Sequence, residues 1–142
     1  MYAATATICV AIEKLDRFPG SMDSTLLIEA RSELEIARNL LESRWQIWNS
    51  IYWRSSNAAT KRSVKAKLEG LAFDALTGVT NAGRLLNRYV DTIGILGENA
   101  PLWSEIIHCL HNAYRWISES YYYDCLCKQL KLSIAIESIR HV

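Results

Sequence analysis

Apolar residues recur at steps of three and four over most of this chain. From about Thr25 to Trp53, Leu27, Ala30, Leu34, Ala37, Leu41, Trp45, Trp48 and Tyr52 follow that rhythm. From about Thr60 to Leu96, Val64, Leu68, Leu71, Ala75, Val79, Ala82, Leu86, Tyr89, Ile93 and Leu96 do the same. A period near 3.6 gathers such positions on one face of an α-helix, whereas a half-buried strand alternates at every second residue. Each stretch therefore predicts one long amphipathic helix with a continuous core-facing seam. Each seam also contains two successive four-residue steps, Ala37-Leu41-Trp45 and Leu71-Ala75-Val79, a local departure from a 3.5-residue repeat. The two departures lie almost equally far from Asn57, so an antiparallel hairpin about that residue brings them level.

Three gaps punctuate the pattern: Phe18-Pro19-Gly20-Ser21 with the cap candidates Asp23 and Ser24, then Ser55-Ser56-Asn57, then Gly97-Glu98-Asn99-Ala100-Pro101. They divide the chain into four helical segments. The last, from Pro101 to Val142, carries a heptad-like stripe, Leu102, Ile106, Cys109, Ala113, Trp116, Ser120, Tyr123, Cys127, Leu130 and Ile134. A second stripe, Trp103, Ile107, Leu110, Tyr114, Ile117 and Tyr121, lies beside it. The apolar face is thus wider than one neighbouring helix covers. Fully helical, this segment would extend about 60 Å at 1.5 Å per residue, so it overhangs its neighbours or breaks, with the poor helix formers of 118–124 marking the break. The expectation is an all-α antiparallel bundle of about four helices, with a long central hairpin and a long C-terminal helix, residues 1–142 forming one domain.

Composition agrees with that pattern. Two prolines and six glycines in 142 residues are too few for the frequent turns of a β-sandwich. Three of those glycines, Gly70, Gly78 and Gly83, fall inside the third helix, where each costs up to about 1 kcal/mol relative to alanine. Close approach of another backbone or a kink would account for them. Cys9, Cys109, Cys125 and Cys127 follow no basic leader, and Glu13, Lys14 and Asp16 end the first apolar run too early for a membrane span. These features predict a soluble protein in a reducing, intracellular compartment with structural thiols.

The net charge of +1 leaves any charge-driven function to a local patch. Between Glu42 and Glu69 no acidic residue occurs, and aromatic residues are interleaved with the cations there. Candidate anion- or nucleic-acid-binding residues in this stretch are Arg44, Trp53, Arg54, Lys61, Arg62, Lys65 and Lys67, because cations displace counterions while flat rings stack on bases. In an up-down-up-down bundle, Lys128, Lys131 and Arg140 join this pole, while Asp23, Glu29, Glu33, Glu35, Asp91, Glu98 and Glu105 gather toward the other. Such polarity can hold a polyanion, draw copies together head to tail, or simply solvate both ends.

Little points to catalysis. No glycine-flanked serine, phosphate-cradling glycine loop or cysteine signature is present. Glu105 and His108 have the Glu-x-x-His spacing of di-iron bundles, but no second copy accompanies them. His111 lies three residues further on without a complete four-ligand set. No metal or cofactor is expected, and the chain is read as a non-enzyme. Two functions follow from the surfaces. The first is association with copies of itself or a protein partner, as an assembly, scaffold or adaptor protein, through Trp103, Ile107, Tyr114, Ile117 and Tyr121. The alternative is binding of RNA, more than DNA, at the basic hairpin tip.

Overall fold

The computed structural model describes residues 2–21, 23–52, 57–95 and 97–126, with side chains at 3–21, 23–50, 57–95 and 97–119. The elements are α1 (Tyr2–Arg17), α2 (Thr25–Ile47) with a π-helical turn at Trp48–Tyr52, α3 (Ala58–Thr92), a 3-10 turn at Gly97–Asn99, and α4 (Ala100–Leu126). No strand occurs among the described residues. Each helix packs on its two neighbours in the cycle α1, α2, α3, α4, and among the described residues the diagonal pairs make no close backbone approach. This is the antiparallel four-helix arrangement expected from the seams.

The α2–α3 hairpin has the most extensive interface. Asn57 caps α3, its side-chain oxygen accepting from the backbone N–H of Ala59 at 2.9 Å and Thr60 at 3.2 Å. Ser24 occupies the corresponding position of α2 with extended backbone but no side-chain cap bond. The hairpin register is visible at Gly78, where a Cβ would lie 3.1 Å from the Glu33 carbonyl oxygen and 3.2 Å from the Ala37 Cβ. Residues 37 and 78 are equidistant from the Asn57–Ala58 junction, so the two seams meet as the pattern requires. Close approach thus accounts for Gly78. Gly70 and Gly83 have no atom within 4 Å of such a Cβ, and their place in α3 has no packing explanation.

Leu27, Ala30, Leu34, Ala37 and Leu41 of α2 are buried, and Leu68, Ala75, Val79, Ala82, Leu86 and Tyr89 of α3 join them in the interior. Among the described seam positions, Val64, Leu71 and Trp48 are only half-buried, and Trp45 and Ile93 are exposed. Ala72 is buried where Leu71 is only half-buried, because α3 faces α4 as well as α2. Ile93 is 61% exposed, since α3 stops at Thr92 and Gly94 follows in the left-handed region at φ 82°. In α2, Arg44 is buried and Trp45 is 52% exposed. Arg44 lies two turns after Ala37, on the side of α2 that meets α3 at Gly78.

In α4 the buried positions are Ile106, Leu110, Ala113 and Ile117. They take two residues from each of the two stripes seen in the sequence, because α4 packs on both α1 and α3. The helix is unbroken through residues 118–124 and runs to Leu126, contrary to the expected break. Buried residues of all four helices form one core cluster.

At the pole where α1 ends, Phe18, Tyr89 and Trp103 stack into a three-ring cap. Phe18 meets Tyr89 edge-on at 6.0 Å and Trp103 at 5.2 Å, and Tyr89 stacks on Trp103 at 5.7 Å. The polar exterior there is cross-linked rather than uniformly acidic. Lys14 pairs with Glu105 at 2.8 Å, and Arg31 bonds both Asp16 and Glu35. No described helix is long and apolar enough to cross a membrane.

Candidate association surface

The expected interface residues of α4 divide into three groups. Ile117 is fully buried in the core, and Trp103 is half-buried in the aromatic cap, so neither forms an outer contact face. Tyr121 lies in α4, but its side chain is outside the described residues. Ile107 and Tyr114 do come together, one on the wall and one on the rim of a groove between α3 and α4.

This groove has a volume of about 390 Å³. Val79, Leu110 and Ile107 supply apolar walls, Gly83 leaves one side open, and Arg84 with His111 adds polar edges. Tyr114 is 47% exposed, and Phe73, one and a half turns before Val79 on α3, is 53% exposed beside the continuation of the same furrow. Side chains on α3 spaced three, four and seven apart (Phe73, Leu76, Thr80, Arg84, Asn87) share the edge nearest α4. That edge was not singled out in the sequence because its apolar members fall outside the principal seam. The signal was a second, weaker row one position off the first.

The basic candidates are similarly divided. Arg44 is 7% exposed and belongs to the interior, because it lies on the side of α2 where Ala37 meets Gly78 of α3. Lys61, Arg62 and Lys65 stand on adjacent turns of α3, with Arg62 exposed and the two lysines half-buried. Lys67 is exposed but projects from another side of the helix, being six residues from Lys61. Trp53 and Arg54 lie outside the described residues, as do Lys128, Lys131 and Arg140.

Ordinary acid–base and metal chemistry finds little geometry to work with. Glu105 is turned toward Lys14, whose hydrogen bond and charge hold its carboxyl below the usual carboxylate range. His108 and His111 are exposed, and among the described residues no three His, Cys, Asp or Glu side chains gather as a metal-binding group. Cys109 is half-buried, and loss of hydration pushes its thiol up from its ordinary range, with Lys14 opposing and Glu105 adding to that shift. A thiol so placed is a weak nucleophile. No protein-family model matches this chain, and no curated protein or solved structure matches it either.

Proposed function

We propose that this protein is a non-catalytic helical bundle that works by association, with copies of itself or with a protein partner, through the α3–α4 face. The observation that carries this reading is the groove walled by Val79, Ile107 and Leu110 and rimmed by the exposed Tyr114, with the exposed Phe73 beside its continuation. Large rings and aliphatic walls in a concave strip are the composition of interface cores, where aromatic anchors fill pockets and displace water. Light scattering of the purified protein tests this together with affinity capture. A Tyr114→Ser substitution should lower complex formation while leaving the helical signal unchanged. A strict monomer at high concentration that also captures no partner would remove the reading.

A second reading rests on Lys61, Arg62 and Lys65, which share one stretch of α3. Three cations contacting a single-stranded phosphate backbone should give an affinity that falls with salt at a log–log slope of about −2. Neutralising the three together should abolish that slope. A salt-independent interaction would eliminate this alternative.

A further inference from the structure

We infer that the occupant of the α3–α4 groove is the outer face of α2 from a second copy of this chain, so that copies join front to back. This inference rests on the association reading and specifies its partner. The groove carries a cation, Arg84, on its otherwise largely apolar edge. No described carboxylate lies within ion-pair distance of Arg84.

The outward face of α2 has the complementary character. Ile28 and Ile36 are 45% and 51% exposed, with Ser32 and Asn39 on the same side of the helix. Glu29 and Glu42 flank them, both exposed and neither engaged by a described cation. Two aliphatic side chains between carboxylates that no described cation engages form a ridge suited to an apolar furrow edged by the Arg84 guanidinium. From Ile28 to Ile36 the ridge spans about 12 Å, and from Phe73 to Asn87 the furrow edge spans about 21 Å, at 1.5 Å per residue. The ridge therefore fits within the groove.

Symmetry decides how copies combine. Pairing groove to groove about a two-fold axis would bring Arg84 toward the Arg84 of the other copy with no carboxylate in the groove lining to offset them, whereas the α2 ridge offers carboxylates. In the cyclic bundle order α2 is a neighbour of α3 and diagonal to α4, so its outer face and the groove are different surfaces of one molecule. A contact between two different surfaces is heterologous and propagates into rings or open chains.

Charge exchange provides the test. Wild-type protein, Arg84→Glu, and the double variant Glu29→Arg/Glu42→Arg are compared by sedimentation velocity over a hundredfold concentration range. Wild type should grow with concentration, whereas each variant alone should require at least tenfold more protein to do so. Mixing the two variants should restore assembly, because each then meets an opposite charge. Ile36→Asp, at an exposed site, provides a second disruption if a charge variant folds poorly by circular dichroism. A monomeric wild type, variants that assemble as wild type does, or a mixture that fails to recover would each overturn the inference. Self-association insensitive to these charges would overturn it while leaving the association reading intact. A wild type that stays monomeric yet binds another protein through Tyr114 would do the same.

Discussion

Gly78 shows how a single missing side chain fixes the distance between two helices. Its backbone lies against the Glu33 carbonyl and Ala37, whereas Gly70 and Gly83 face open space. Alanine at either open site should raise stability by about 0.5–1 kcal/mol, the ordinary difference in helix propensity. At Gly78 the same substitution must displace a backbone carbonyl by a few tenths of an ångström, so that gain should be absent or reversed. Denaturant unfolding of the three variants checks the contrast, and an equal gain at all three would refute the close packing. Capping gives a second residue-level contrast. Asn57→Ala removes an oxygen that accepts two backbone N–H groups and should cost about 1 kcal/mol, whereas Ser24→Ala removes no cap bond and should cost much less. Urea titration that finds equal losses would contradict the assigned caps.

At the scale of elements, the four helices and the α2–α3 hairpin were legible because their apolar periodicity is long and regular. Asn57 was legible as punctuation, and the structure adds that it is the cap. The ends were harder to read. Ile93 and Leu96 continue the rhythm in sequence, but Gly94 adopts the left-handed conformation that stops α3 first. Apart from Glu119, residues 118–124 are poor helix formers, yet the preceding core positions Ala113 and Ile117 anchor the helix that carries them. Trp45 keeps the period yet is 52% exposed, so periodicity within α2 alone did not show which seam positions are covered. The α1–α4 pairing also predicts a pH response. Lys14 depresses the folded-state titration of Glu105, so the pair contributes stability above the unfolded carboxyl's pKa near 4.5. That contribution fades as pH falls through the lower folded value. Thermal melts of Glu105→Gln should show less acid sensitivity than wild type across this window, and salt should reduce the difference because the pair is exposed. Parallel pH profiles at low salt would show that the pair is not coupled to folding.

For the molecule as a whole, the excess apolar width of α4 is largely taken up by its packing on two helices, α1 and α3, which one helix in isolation could not show. Packing on α1 and α3 withdraws Ile117 into the core, and the aromatic cap engages Trp103; Ile107 and Tyr114 remain at the groove. The other half of that groove comes from α3, whose outer row is too mixed in polarity to stand out. A polar tip and a furrow away from it now make separable claims on function. Multi-angle light scattering at rising concentration, with and without nuclease, compares those claims in one preparation. Association through the α3–α4 face predicts a mass that climbs above the 16.2 kDa chain, is unchanged by nuclease, and falls back with Arg84→Glu. A 16.2 kDa particle at every concentration, or growth abolished by nuclease, would contradict self-association through this face.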